Sequence, residues 1–152
     1  MTNDVFHGDL NLNGNDLSDL AALHLAKIFD KTTGHNITRI NLSGNNFTSK
    51  AGEYIGQALS NNPSYPIKKI QFTGINLEHI GLTRIIEAVN GNEHIKRLDI
   101  GILTDQGLKN MAEMLKPNEY LDEITFQETL DPQKLWTSLG RGAFSEMMKD
   151  ST

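Results

Sequence analysis

Ile37-Thr38-Arg39-Ile40-Asn41-Leu42-Ser43-Gly44-Asn45-Asn46-Phe47 is the stretch on which the fold turns. Ile40 and Leu42 alternate with polar neighbours, the pattern of a short strand with one buried face. A Ser-Gly-Asn-Asn turn follows. Phe47 then opens a different spacing, because Ala51, Ile55 and Leu59 follow at steps of four and form one stripe along a helix. The phrase also stands earlier, as Asp9-Leu10-Asn11-Leu12-Asn13-Gly14-Asn15-Asp16-Leu17, and later, as Lys69-Ile70-Gln71-Phe72-Thr73-Gly74-Ile75-Asn76-Leu77. A shortened copy is Arg97-Leu98-Asp99-Ile100-Gly101-Ile102-Leu103, and a degraded one is Glu123-Ile124-Thr125-Phe126-Gln127. Repetition at this period predicts a stacked array of supersecondary units, not a globule around one buried active site.

The anchors Leu12, Leu42, Phe72, Ile100 and Phe126 are separated by 30, 30, 28 and 26 residues. Around them, Leu10/Leu12, Ile40/Leu42, Ile70/Phe72, Leu98/Ile100 and Ile124/Phe126 are predicted to point into the core. The stripe of four-residue steps also recurs: Leu17, Ala21, Leu25, Phe29; Leu77, Gly81, Ile85, Val89; and Leu103, Gly107, Met111, Leu115. Ser18, Thr48 or Ser49, and Thr104 occupy N-cap positions. Asn61-Asn62-Pro63, Asn90-Gly91 and Lys116-Pro117-Asn118 are stop signals. The small residues Ala21, Ala51, Gly81 and Gly107 are expected to let each helix approach its strand closely. A strand–turn–helix unit cannot bury its apolar face alone, so its neighbours must supply the cover.

These units resemble leucine-rich repeats of the ribonuclease-inhibitor-like class over roughly residues 7–130. Ile37-x-x-Ile40-x-Leu42-x-x-Asn45-x-Phe47 fits every position of the pattern Leu-x-x-Leu-x-Leu-x-x-Asn-x-Leu. The resemblance implies an α/β fold: a leucine-rich-repeat solenoid of about four and a half units, with parallel strands on the concave side and helices on the convex side. It also implies that Asn15 and Asn45 hydrogen-bond the turn backbone as a ladder. The third unit has Ile75 in that slot and the fourth loses two turn residues, so the ladder is expected to end after two rungs and the curvature to change near residues 72–103. The first unit has His7 where Ile37, Ile67, Ile95 and Leu121 stand in the others. Asp131-Pro132, then Leu135, Trp136 and Leu139, reads as a capping helix over 131–139 that closes a repeat domain of residues 1–139. Residues 140–152 form a tail.

Composition narrows the function. The chain has 152 residues, 22% of them charged, with 38% hydrophobic and a net charge of −5. That suits one soluble domain and argues against bulk nucleic-acid binding. No run approaches the ~20 apolar residues of a membrane span. The first residues, Met1-Thr2-Asn3-Asp4-Val5-Phe6, lack the basic and apolar regions of a secretory leader, which predicts a cytoplasmic protein. There is no cysteine, hence no disulfide and no thiolate metal site. The histidines His7, His24, His35, His79 and His94 form no metal-ligand spacing, and no nucleophile elbow or phosphate loop is present. The expectation is no catalytic residue, no metal and no cofactor. Asp99 with Glu123 is the one carboxylate pair to consider, and Arg97 beside it favours an ion-pair cluster.

The outward residues of the strands fall into three columns: Asp9, Arg39, Lys69, Arg97, Glu123; then Asn11, Asn41, Gln71, Asp99, Thr125; then Asn13, Ser43, Thr73, Gly101, Gln127. Three basic residues stand together in the first column, with Lys68 and Lys96 beside them, and like charges at strand spacing repel unless something offsets them. The predicted partner-binding set is therefore Arg39, Asn41, Ser43, Lys69, Gln71, Thr73, Arg97, Asp99 and Thr125. The expected partner is another protein with an acidic segment, met by a monomer, with no nucleic acid and no membrane. The alternative is a self-associating structural protein pairing through Trp136, Phe144, Met147 and Met148. The Asn-, Lys- and Ile-rich composition and irregular repeats also resemble the leucine-rich-repeat effectors that intracellular bacteria inject into host cells. On that resemblance, residues 144–152 would carry an uncleaved translocation signal.

Overall fold

A computed structural model describes residues 7–30, 36–128, 137–140, 142 and 146. Strands and helices alternate as β1 (His7–Asn11), α1 (Asp19–Asp30), β2 (Asn36–Asn41), α2 (Ser49–Asn61), β3 (Lys69–Gln71), α3 (Glu78–Asn90), β4 (Arg97–Leu103), α4 (Asp105–Met114), β5 (Glu123–Glu128) and β6 (Thr137–Gly140). The six strands form one sheet in sequence order, with β1 to β5 parallel. Each helix is the crossover that returns the chain to start the next parallel strand.

The inward side chains are those that the alternation selects. Ile40, Leu42, Ile70, Phe72, Leu98, Ile100, Ile124 and Phe126 are all buried. They meet the helix stripe Ile55, Leu59, Ile85, Val89, Met111 and Leu115, buried as well. Each large apolar side chain removed from water contributes ~1.5–3 kcal/mol. Leu10, Leu12, Ala21 and Leu25 of the first unit are only half-buried, because among the described residues they have a neighbouring unit on one side alone. Phe29 of α1 and Tyr65, between α2 and β3, pack edge to face with ring centroids 5.1 Å apart.

Two of the expected caps form, at Thr48 and Thr104. Thr48 Oγ1 accepts from the Lys50 N–H at 3.2 Å, and Thr104 Oγ1 from the Gly107 N–H at 3.0 Å. Asp19 of α1 joins the second cap from the neighbouring unit, accepting the Thr48 N–H at 2.9 Å and the Thr48 hydroxyl at 2.5 Å. No side chain caps α3 from Leu77, but Asn76 Oδ1 accepts the Glu78 N–H at 2.9 Å.

Four details depart from the sequence reading. Gly81 serves helix-to-helix approach more than helix-to-strand approach: a Cβ there would lie 2.7 Å from the Ser49 carbonyl oxygen. Gly52 and Gly56 of α2 complete this contact, since Cβ atoms on them would stand 2.8 Å from Gly81 and 2.6 Å from the Arg84 backbone. A Cβ on Gly107 would meet the Oγ1 of its own helix cap Thr104 at 3.3 Å and Leu103, at the end of β4, at 3.5 Å, a looser fit than at Gly81. His7 pairs with Asn36, and Gly8 with Ile37, because the register slips between Gly8 and Asp9.

The fourth departure is at the C-terminal end. Residues 137–140 form β6, antiparallel to β5, with Phe126 opposite Thr137 and Glu123 opposite Gly140. The helix expected over 131–139 is corrected for residues 137–139, and 131–136 lie outside the described residues. An edge strand needs hydrogen-bond partners, and a returning strand supplies them more completely than a helix laid over the end.

Candidate functional site

The outer side of the sheet, opposite the helices, carries the polar columns. In the first, Asp9, Arg39, Lys69, Arg97 and Glu123 are paired in unbroken register. Parallel strands lie ~4.8 Å apart, so the three cations span ~10 Å and the whole column ~19 Å. Arg39 and Arg97 are exposed and Lys69 is half-buried. Asp9 lies 3.7 Å from Arg39, with both side chains more than half exposed, a pair of little energetic weight. Among the described residues, neither Lys69 nor Arg97 has an ion pair within 4.0 Å. Two shallow depressions lie side by side over this column, of 190 and 160 Å³, and share Lys69, Gln71 and Arg97. Lys68 and Lys96 are exposed at the adjacent strand starts, Lys96 standing 5.8 Å over the Tyr120 ring.

The second column has a different task. Asn11 Oδ1 accepts the Asn13 N–H, Asn41 Oδ1 the Ser43 N–H, and Asp99 Oδ1 the Gly101 N–H, each at 3.0 Å. One local Asx turn thus starts three of the turns. Gln71, one methylene longer, is half-buried in both depressions. Thr125 is half-buried beside Asp99 and faces Ser138 across the last strand pair.

The third column turns inward. Ser43 Oγ accepts the Thr73 N–H at 2.9 Å, and the Thr73 hydroxyl donates to Asp99 Oδ2. Ser43 is 6% and Asp99 7% exposed. Expected as surface contact residues, Ser43, Thr73 and Asp99 instead form a hydrogen-bonded chain that links three units. Burial pushes the Asp99 carboxyl above its ordinary range, against the opposing effects of the Thr73 hydroxyl, the Gly101 N–H and the Lys69 charge. Both Asp99 oxygens have internal donors, the Thr73 hydroxyl and the Gly101 N–H. The column itself breaks at its end, because the register shifts between Asp99 and Gly101 and sets Gly101 opposite Phe126, not Gln127. Gly101 sits at φ 85°, and a Cβ there would lie 2.1 Å from the Ile75 carbonyl oxygen. Only glycine fits a left-handed backbone pressed so closely on its neighbour.

Of the two asparagines expected as rungs, Asn45 bridges two units, while Asn15 Nδ2 donates only within its own turn, to the Asn13 carbonyl at 3.3 Å. Asn45 Nδ2 donates to the carbonyls of Leu12 at 2.9 Å, Leu42 at 3.0 Å and Ser43 at 3.2 Å. Its Oδ1 accepts the N–H groups of Asn15 and Leu17. Ile75 replaces the next rung and is buried at 2% exposure. Beyond it, the shortened fourth turn leaves a cleft of about 370 Å³ between α3 and α4. Leu77, Leu82, Ile100, Ile102 and Leu103 form its apolar lining.

A second asparagine series runs along the opposite edge of the sheet; Asn62 and Asn118 stand in the expected helix stops, whereas Asn92 lies beyond the Asn90-Gly91 stop and was not singled out. Asn62 Nδ2 donates to the Phe29 carbonyl, Asn92 Nδ2 to the Tyr65 carbonyl and Asn118 Nδ2 to Asn90 Oδ1, all at 2.9 Å. Asn92 and Asn118 then turn the chain into the next strand, Asn92 Oδ1 accepting His94 N–H and Asn118 Oδ1 accepting Tyr120 and Leu121 N–H, each at 2.8 Å. The available signal was an asparagine recurring just beyond α2, α3 and α4 at nearly the repeat period.

No group of three His, Asp or Glu side chains that could hold a metal ion is present among the described residues, and none of their helices is long and apolar enough to cross a membrane. No family model matches the chain, and no curated protein matches it in sequence. Among solved structures the chain is similar to "Leiomodin-1 Actin-Binding Site 2 (ABS2)", with a TM-score of 0.72 at 15% identity. The match covers 98% of this chain and 83% of that one. That domain is a leucine-rich-repeat domain, and five parallel strands alternating with helices give this chain the same α/β solenoid fold.

Proposed function

We propose that this protein is an interaction module that binds a protein partner on the open, strand-lined face, the concave side of such a solenoid. The observation that carries the reading is the run Arg39, Lys69, Arg97: three cations in register on neighbouring strands, two of them without an ion pair among the described residues. Like charges at this spacing destabilise the sheet face slightly, and an acidic ligand relieves that cost. Arg39, Lys69, Gln71 and Arg97 are the contact residues, with Asn41 and Thr125 at the margins. The short strip, with no aromatic among the column residues, favours protein over nucleic acid. Fold likeness to a domain named for actin binding also favours a protein ligand without naming actin as this one's.

The self-associating alternative has less support. β6 already pairs the outer side of β5, and Trp136, Phe144, Met147 and Met148 lie outside the described residues. The effector reading belongs to the same proposal and rests on composition and the irregular repeats. It requires that residues 144–152 fused to a reporter direct export into a host cell, and a reporter that stays behind removes it.

The test is capture from lysate by the purified protein beside the variant Arg39→Glu, Lys69→Glu, Arg97→Glu. Loss of a captured protein by a variant with unchanged circular dichroism supports the open face. Equal capture by both moves the site elsewhere.

A further inference from the structure

The first column is a bracketed pattern as well as a basic one. In register it reads Asp9, Arg39, Lys69, Arg97, Glu123: one negative charge, three positive, one negative. A long acidic run laid across the strands would meet its own sign at both ends. A short one that ends in basic residues would match all five positions. Like-charge juxtaposition at a rim excludes wrong partners more effectively than matched charge adds affinity.

Dimensions fix the segment's length. Four strand steps of ~4.8 Å set Asp9 and Glu123 ~19 Å apart. An extended peptide advances ~3.4 Å per residue, so side chains at alternate positions share one face at ~6.8 Å intervals. Seven residues therefore span ~20 Å from first to last. Basic residues at positions one and seven then stand over Asp9 and Glu123, and acidic residues at three and five straddle Arg39, Lys69 and Arg97. The paired depressions of 190 and 160 Å³, sharing Lys69, Gln71 and Arg97, lie along that line. Gln71, between the cations and the turn edge, can donate to a passing backbone carbonyl.

The geometry points to a protein partner that presents an extended segment of the form basic-x-acidic-x-acidic-x-basic, lying across β1 to β5 along the first column. This deepens the open-face reading and rests on it. The pattern, not net acidity, is what the surface selects.

The probes are two capped peptides of identical composition and zero net charge, Lys-Thr-Glu-Thr-Glu-Thr-Lys and its permutation Glu-Thr-Lys-Thr-Lys-Thr-Glu. Each is titrated into the whole protein, isotopically labelled, at low ionic strength. The first is expected to shift the amide resonances of Arg39, Lys69, Gln71 and Arg97, with a dissociation constant at least tenfold below that of the permutation. The shifts should fade as salt shortens the screening length. The inverted column Asp9→Lys, Arg39→Glu, Lys69→Glu, Arg97→Glu, Glu123→Lys is expected to reverse the preference. Equal binding of the two peptides, or no binding of either, overturns the bracketed pattern. The open-face reading fails by a different result, unchanged lysate capture by the triple charge reversal, so the two failures are separable.

Discussion

The two edges of the sheet are built on opposite principles. Along the edge where the strands begin, the asparagines Asn62, Asn92 and Asn118 tie successive units, and backbone bonds run on from Lys68 to Thr38, Lys96 to Lys68 and Asp122 to Lys96 at 2.6–2.9 Å. Along the edge where the strands end, the ladder stops at Asn45, Ile75 fills the next slot, a glycine bulge follows and a cleft opens. From β2 onward, past the register slip between Gly8 and Asp9, the strand-start edge keeps the unit spacing while the other edge loses two residues. In the first column Lys69, Arg97 and Glu123 open β3, β4 and β5, while Asp9 and Arg39 stand inside β1 and β2. Its register runs unbroken from Asp9 to Glu123, and the third column, nearer the turns, takes the distortion.

The sharpest way to break this contrast is Gly101→Ala. The new Cβ would meet the Ile75 carbonyl at 2.1 Å from a backbone at φ 85°. Overpacking and left-handed strain together are expected to cost more than ~3 kcal/mol. Chemical denaturation reads the loss. A cost below ~1 kcal/mol would mean that the turn edge yields freely and that the bulge is not what closes the fourth unit.

Next in size comes Asn92→Ala on the strand-start edge. Asn92 is fully buried and satisfies the Tyr65 carbonyl and the His94 N–H. Leaving both unpaired is expected to cost ~2–4 kcal/mol. Asn45→Ala removes more bonds, but in a half-buried turn where water replaces part of them, so ~1–3 kcal/mol is expected. Measured in parallel, Asn92→Ala should be the costlier of the two. The reverse order would make the Asn45 rung, not the asparagine series before the strands, the principal tie between units.

How much of this was legible follows from range. The strands, the inward pairs and the basic column were readable, because period two and a thirty-residue phase fix which side chains align before any tertiary contact forms. The partial loss of the ladder was readable from Ile75 and from the shortened copy. Three features were not. Gly52 and Gly56 matter through the distance to another helix's backbone, which no intra-helix periodicity encodes. Gly101 is one glycine among 13, and its bulge arises only when the shortened fourth turn must meet Ile75. β6 is a four-residue strand whose role is set by the open edge beside it, not by its own Thr137-Ser138-Leu139-Gly140. For the site, charge positions were legible. The inward commitment of Ser43, Thr73 and Asp99 was not, although Asp99 stands two residues before Gly101 just as Asn41 stands two before Ser43.

That parallel supplies the finest test. Asn11 and Asn41 start their turns with neutral amides, whereas Asp99 makes the same bond with a carboxyl that burial holds above its ordinary pKa. A raised folded-state value means that the native chain holds a proton more tightly than the unfolded chain does. Stability contributed by Asp99 is thus present in full below the ordinary carboxylate range near pH ~4, and it declines as pH rises through the higher native value. In Asp99→Asn the amide oxygen can still accept from Gly101, and the amide nitrogen can donate to the Thr73 hydroxyl, with no charge to desolvate. The variant is expected to match the wild type near pH 4 and to be the more stable of the two at pH 7, read as the difference between their thermal midpoints. A difference that does not change across that range would show that Asp99 ionises as freely in the fold as in the unfolded chain. A variant less stable than the wild type at pH 7 would show that the Asp99 carboxylate earns its place through Lys69, making it part of the basic strip after all.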